Sequence, residues 1–541
     1  MLSPQVTIVG AGPVGLLSAI ALDAQGVSTV VVEKHLARQS APKAHAVNPR
    51  TLEICQRFGI SASDIRAAGA SIEEGGQVHF VDRLNSRCFG SLPYERQDED
   101  AKAHTPWPLI NIAQPRFEQF LEARYSQCTR STLMRGFIAQ RTVESDAHIT
   151  TDLHCQATEQ NVSITSDYVI AADGASSTIR DQLGINMVGP EAIQHYIMIH
   201  FESDLRELTK ANPGLLYFCM QPDASGVFIG YQRDQSWVFM HSYNPAAESR
   251  ADFSPERCQA IVEAAAGEAL PEFRVQNISA WAMSAQVAER YQSGRAFLVG
   301  DAAHRFPPTG GLGLNTGVGD AHNLTWKLAK VLKDAAPSSL LASYDRERRP
   351  VAEINSQQSL MNSAKLMHLF GALYGVDPAQ KETFYADVCK HPENYPEVAA
   401  AVEIQRPHFD SFNLQLGYRY GVEVDANDID ISVYVPRFEV GNYLPHTPLQ
   451  SGGWLLEQLP NSGYSLVAGP KGDAWQSADL PCFVEDEHFS TVECAFHTRA
   501  NISADGALLI RPDGHIAARW TTLPERHERA VADEIQQSLG G

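Results

Sequence analysis

Four short, mostly apolar runs stand out along the chain: Val6-Thr7-Ile8-Val9, Val30-Val31-Val32, Tyr168-Val169-Ile170-Ala171 and Ala296-Phe297-Leu298-Val299. Runs of this length without a polar face predict strands buried on both sides. The first is followed by a helix to about Gln25, and the last leads through a Pro/Gly loop into a helix whose period runs through Ala321, Leu324, Leu328 and Leu332. Between about Ala192 and Ser284 the pattern changes. His195 to Phe201, Leu215 to Met220, Val227 to Arg233 and Trp237 to Tyr243 alternate apolar and polar positions, which predicts an antiparallel sheet with one wet or cavity-lining face. Helical periodicity returns from Val318 to about Leu373. The tail reads as a separate small α/β domain: short strands, a hairpin at Pro512-Asp513-Gly514 and a terminal helix.

The turns at the ends of the buried runs carry the chemistry. Gly10-x-Gly12-x-x-Gly15, with Pro13 and Val14 between the last two glycines, lies between a strand and a helix, and the next strand ends in Glu33. In that arrangement Gly10 makes the tight turn, Gly12 lets backbone approach a pyrophosphate, Gly15 packs helix on sheet, and Glu33 accepts from a ribose hydroxyl. The third run ends in Asp173-Gly174 and the fourth in Gly300-Asp301, an acid suited to a polyol hydroxyl. The loop Pro307-Pro308-Thr309-Gly310-Gly311-Leu312-Gly313-Leu314-Asn315 then opens a helix. Its N–H groups at Gly313 to Asn315 suit a group that becomes anionic, such as a reduced flavin. Thr51 is expected to cap or begin a helix ending at Phe58, and Asn111 to Leu121 is expected to be a helix with Gln114 and Arg116 in its first turn.

Composition narrows the class. A chain of 541 residues, 44% hydrophobic, can bury large cores in several domains. A net charge of −21 without any basic run speaks against a nucleic-acid surface. Nine scattered cysteines without a C-x-x-C pair indicate neither a metal centre nor a redox disulfide and fit a reducing compartment. With no secretory leader pattern and no apolar segment long enough to span a bilayer, a soluble cytoplasmic protein is expected.

Taken together, the three separated motifs resemble the class A, single-component flavoprotein monooxygenases of the para-hydroxybenzoate hydroxylase fold. Pro42-Lys43-Ala44-His45 with Asn48, Arg50-Thr51-Leu52-Glu53, and the loop to Gly317, are most similar to the phenol-hydroxylating branch. That branch includes 2,4-dichlorophenol 6-monooxygenase and 2-hydroxybiphenyl 3-monooxygenase. The resemblance implies a Rossmann-like FAD-binding domain (1–185 with 285–400), an antiparallel-sheet substrate domain (186–284, with 75–105 joining it) and a thioredoxin-like domain (415–541) that lacks C-x-x-C. It implies FAD, transient NADPH or NADH, O2 and a C4a-hydroperoxyflavin acting on a phenolic, polyphenolic or polyketide aromatic substrate, with homodimerisation a family expectation. Cofactor contacts carry over to Gly10, Gly12, Pro13, Val14, Gly15, Glu33, Gln114, Asp173, Asp301, Pro308, Gly311, Gly313, Leu314 and Asn315. Lys43 stands where the branch usually has Arg and loses the bidentate fork. His45 carries over as the base that takes the phenol proton, and Tyr217, Trp237 and Phe239 are expected to line the substrate pocket. A flavin-dependent halogenase or dehydrogenase on a related fold, and an FAD-retaining binding protein without turnover, are the alternatives. The lack of a Trp-x-Trp-x-Ile-Pro-like segment counts against a halogenase.

Overall fold

The computed structural model describes residues 4–38, 44–492 and 494–540. The four apolar runs lie side by side in a six-stranded sheet ordered Gln292–Ser293, Ala296–Leu298, Tyr168–Ala171, Val6–Val9, Thr29–Glu33, Ser131–Arg135. Every neighbouring pair is parallel except the one made by the short edge strand Gln292–Ser293. Parallel strands end at a common edge, so the Gly10 turn, Glu33, Asp173 and Asp301 are delivered there by topology. Two helices cross behind that edge, Pro13–Ala24 and Leu312–Lys333. They approach closely because Gly317 has no side chain, where a Cβ would sit 2.6 Å from Val14 Cγ2; Gly15 instead lets its helix close on its own turn, a Cβ there lying 2.0 Å from the Gly10 carbonyl oxygen.

The second layer is a seven-stranded sheet ordered Arg274–Met283, Gln194–Glu202, Ser236–Ser242, Gly226–Gln232, Leu216–Cys219, Gln77–Val81, Cys88–Pro93. Only Leu216–Cys219 and Gln77–Val81 pair in parallel. Successive side chains point to opposite faces. Tyr217, Phe228, Trp237 and Phe239 pack with Phe253, Val262 and Ala265, on and beside the helix Pro255–Ala266. Phe218, Ile229, Tyr231, Val238 and Met240 face the other way, toward Leu369 and Leu373 of the long helix Ala342–Tyr374, and toward Tyr94.

This parity puts the three residues expected to line the substrate pocket on the face opposite the one that meets His45. Tyr217, Trp237 and Phe239 are fully buried on the helix-backed face, and the Tyr217 hydroxyl donates to the Asn212 carbonyl at 2.8 Å. Composition identifies an aromatic strand, but a one-residue error in phase exchanges its faces. Other boundaries differ for local reasons. The helix expected from Val318 begins at Leu312. Ile110–Asn111 is a strand paired antiparallel with Ala46–Val47, and the helix Gln114–Tyr125 starts only after Ala113, with Pro115 in its first turn. Asn48, not Thr51, caps Pro49–Arg57, its side chain accepting from Thr51 N at 2.9 Å.

The tail forms a four-stranded sheet ordered Cys482–Val484, Ser465–Ala468, Ala507–Ile510, Ile516–Trp520, followed by the helix His527–Gly540. Its first pair is parallel and the others antiparallel. The hairpin turn drives Asp513 into the body of the protein. Arg511 reaches both Glu347 oxygens at 2.7 and 2.8 Å and also holds Asp513 at 2.6 Å, while Lys327 Nζ reaches Glu347 at 2.8 Å. Trp326 Nε1 donates to Asp513 at 3.1 Å. Buried ions survive only when paired this fully. The two cations keep the Glu347 carboxyl far below its usual range despite burial.

A second latch ties the sheet layer to the segment after the long helix. Glu95 is buried, has a φ of 54°, and accepts from Ser411 N (3.0 Å), Ser411 Oγ (2.7 Å) and Gln415 Nε2 (2.8 Å). Burial pushes its carboxyl up to about 7. The unfolded value is about 4.3, so between these limits the native chain holds a proton that the unfolded chain has released. This contribution to stability is complete below the unfolded value and is lost as pH rises through the folded one, and it amounts to roughly 4 kcal/mol. The thermal midpoint of Glu95→Gln should therefore fall less than that of the parent between pH 5 and 7. Parallel slopes in the two proteins would show that Glu95 is ionised throughout.

Candidate cofactor cradle and active site

The shared edge of the parallel sheet brings together most of the residues expected to hold a cofactor. Gly10, with a φ of 106°, turns where a Cβ would lie 2.1 Å from the Ala172 carbonyl oxygen, so no other residue fits there. Gly12 is the opposite case. A Cβ on it would meet nothing within 4 Å, and it precedes Pro13 at the start of a helix that has no side-chain cap. The first N–H groups of a helix have no carbonyl partner within it, and a start with no side-chain cap is a setting in which phosphate oxygens are bound. Val14 packs below the turn against Gly300 and Gly317. Glu33 closes one side, its Oε2 accepting from Ala11 N at 2.8 Å.

Asp173 and Asp301 follow adjacent strands. Asp173 Oδ2 accepts from Ile179 N at 3.3 Å, Oδ1 is buried without a partner among the described residues, and burial raises the carboxyl above its usual value. Asp301 is exposed at the head of its strand. Arg180 spans the two turns, donating to the carbonyls of Ala175 (3.1 Å) and Ala302 (3.3 Å). Behind Asp301 lies a carboxylate that sequence reasoning missed. Asp320 is fully buried on the helix Leu312–Lys333 and accepts from Gly300 N (3.2 Å), His304 Nε2 (2.8 Å) and Arg348 Nε (2.9 Å). His304 and Arg348 hold it below the usual carboxylate range. The only sequence signal was an acidic residue one helical turn before Leu324, on the apolar phase of the helix.

The Pro/Gly loop starts that helix. Gly311 N donates to Pro308 O at 3.2 Å, Gly311 has a φ of 61°, and a Cβ on Gly313 would meet nothing within 4 Å, while Leu314 packs inward. Asn315 was expected to offer backbone, yet its side chain is a four-way clip. Oδ1 accepts from Asn48 N (3.0 Å) and Thr51 Oγ1 (2.8 Å), and Nδ2 donates to the carbonyls of Ala46 (3.0 Å) and Gly311 (2.8 Å). This fastens the His45 segment to the helix start. The Gln114 amide also serves that segment, accepting from Ala44 N at 3.2 Å and donating to Glu118 at 2.8 Å. Lys43 lies outside the described residues.

His45 therefore stands where the cradle meets the sheet layer. Its ring lies 5.5 Å from Tyr94 and 6.3 Å from Tyr231, the face opposite Tyr217, Trp237 and Phe239. Its Nδ1 is 3.0 Å from Asn111 Oδ1. Burial lowers its pKa, and the Asn111 bond opposes that only in part. The Tyr231 hydroxyl is buried without a partner among the described residues, and burial pushes it up to a value above the ordinary phenol range.

Known proteins share this fold. A model of the FAD binding domain family matches residues 3–359. The chain belongs to this FAD-binding family. The tetracenomycin A2 monooxygenase-dioxygenase of Streptomyces glaucescens is 30% identical over 99% of this chain and 96% of its own length. The 2,4-dichlorophenol 6-monooxygenase of Delftia acidovorans is 26% identical over 100% and 98%. Among solved structures, the flavin-dependent monooxygenase PieE in complex with FAD and substrate superposes with a TM-score of 0.91 at 27% identity, covering 99% of both chains. The flavoprotein is thus an FAD-dependent monooxygenase of the aromatic hydroxylase class, with a mixed α/β fold. Its residues fit the cofactor: an open glycine at an uncapped helix start, Glu33 at the next strand end, a carboxylate oxygen of Asp173 without a partner among the described residues, and exposed Asp301. No helix among the described residues is long and apolar enough to cross a membrane, and no cluster of three or more His, Cys, Asp or Glu among them could hold a metal ion.

Two outcomes test this arrangement. Gly12 has a φ of −72°, which any residue adopts, so Gly12→Val should fold normally while its side chain fills the phosphate approach. Purified Gly12→Val protein should retain under about a tenth of the parent's bound flavin, because the valine keeps phosphate oxygens away from several N–H donors at once, with an unchanged melting temperature of the flavin-free protein. Asp320→Ala strands a buried arginine and should lose about 3–5 kcal/mol in denaturant unfolding. A loss below ~1 kcal/mol, the range of an exposed ion pair, would show that Arg348 is otherwise satisfied.

Proposed function

We propose that this monooxygenase hydroxylates a phenolic ring, free or within a fused aromatic polyketide, and that His45 is the base that takes the phenol proton. The supporting observation is the placement of His45. Its ring stands between the flavin cradle and the aromatic face carrying Tyr94 and Tyr231, and Nε2 has no partner among the described residues. When bound, FAD supplies reduction by NAD(P)H and the activation of O2 for transfer of one oxygen atom to the ring.

The chain's own residues supply position and proton handling. Ionising a phenol makes its ring carbons better nucleophiles, and an ordinary phenol with a pKa near 10 is mostly protonated at neutral pH. A neutral imidazole within hydrogen-bond reach removes that obstacle as the ring reacts. Burial favours the neutral form, so His45 is ready to accept at pH 7. Tyr231 offers a hydroxyl to orient a ring oxygen. Glu33 would hold the adenosine ribose, Asp301 and Gln114 the ribityl chain, and the N–H groups from Gly313 onward the flavin edge that becomes anionic. The order and sense of the tail strands support a thioredoxin-like domain. Its cysteines, Cys482 and Cys494, are both free, so its role is packing rather than redox chemistry.

His45→Ala should hydroxylate phenols at least about 100-fold more slowly, as expected for loss of a general base, with flavin content unchanged. In the parent enzyme kcat/KM should fall on the acid side with a midpoint below 6.5, because protonated His45 cannot accept. Undiminished product formation by His45→Ala, measured against NADPH consumed, would remove His45 from the chemistry.

A further inference from the structure

The pairing of Ala46–Val47 with Ile110–Asn111 puts Asn111 beside His45, with the ladder extended by Ile112 N donating to His45 O at 2.7 Å and Gln114 N to Ala44 O at 2.9 Å. Asn111 is buried, and its amide has two neighbours of different kinds. One is the Gly75 carbonyl oxygen, 2.8 Å from Nδ2; the other is His45 Nδ1, 3.0 Å from Oδ1. A backbone carbonyl can only accept, so the end facing Gly75 must be the NH2 group. The end facing His45 is then the carbonyl, which also can only accept.

We infer that Asn111 fixes the tautomer of His45: the amide, anchored on the Gly75 carbonyl, requires the imidazole proton to sit on Nδ1 and leaves the lone pair on Nε2, directed at the substrate side. Asn111 is a positioning residue, acting through His45 without touching the substrate. The inference rests on the reading of His45 as the base only for its consequence; the tautomer itself follows from the hydrogen bonds.

The choice of an amide has chemical meaning. An aspartate at 111 would orient the ring equally well, but its charge at this distance would favour the imidazolium. An amide orients without charging. The groups around the ring are Asn111 from the paired strand, Tyr94 from the segment after Cys88–Pro93, and Tyr231 from Gly226–Gln232. Burial and the Asn111 bond are the influences that act on the His45 pKa, and no charged side chain is among them. The enzyme keeps a weaker base that stays unprotonated further into acid.

The direct test uses the flavin-loaded enzyme with ¹⁵N-labelled histidine, the His45 signals being assigned by their loss in His45→Gln. At pH 7.5 the expected pattern is a protonated, pyrrole-type Nδ1 and an unprotonated, pyridine-type Nε2. A proton on Nε2, or an averaged pair of shifts, overturns the inference without any variant at 111 needing to fold. The second readout is the pH profile. Asn111→Asp should move the acid limb of kcat/KM upward by about one unit or more, with flavin content retained, and an unmoved limb counts against the inference. If the Nδ1-H tautomer is found but His45→Ala still hydroxylates at the parent rate, the tautomer stands and the base assignment fails, so the two are separable.

Discussion

A carboxylate with no access to water governs the geometry of this enzyme. Asp320 has to be compensated, and the three donors that do so come from different parts of the chain: the Gly300 amide, the His304 ring and the Arg348 guanidinium. The first fixes the turn that presents Asp301, the second the loop beyond it, and the third the long helix that backs the sheet layer. Because an unpaired buried charge is so costly, these elements have little freedom to shift separately. The cofactor edge is therefore rigid for an electrostatic reason, while the surface it offers is left open by glycines.

Rigidity and openness are divided between neighbouring positions. Gly10 and Gly15 are small because backbone crowds them, whereas Gly12 and Gly313 are small because nothing does. The same division appears at the His45 segment, which is zipped to Ile110–Asn111, clipped by Asn315 and tied to the Gln114 amide, yet leaves one imidazole nitrogen without a partner among the described residues. A segment of this kind is held from behind.

The parallel sheet, its order of glycines and acids, and the switch to an antiparallel layer were legible in the sequence, because buried runs and turn chemistry are local signals. The residues that share the edge were likewise legible, since parallel strands must deliver their ends together. The sheet face was not: Tyr217, Trp237 and Phe239 differ from Phe218, Val238 and Met240 only by phase, and phase depends on partners far away in sequence. The side-chain roles of Asn111, Asn315 and Asp320 were hidden for the same reason. Each is a polar residue whose partners lie outside its own element, and the short strand Ile110–Asn111 could not be told from the start of the helix that follows it.

The hairpin at Pro512-Asp513-Gly514 gives the tail an unexpected standing. Arg511 neutralises Glu347, and Glu347 is next in the chain to Arg348, the partner of Asp320. A tail that merely rested on the surface could be trimmed at little electrostatic cost. This one supplies a counter-ion to a carboxylate buried in the preceding chain, so removing it would leave Glu347 with Lys327 as its remaining cation.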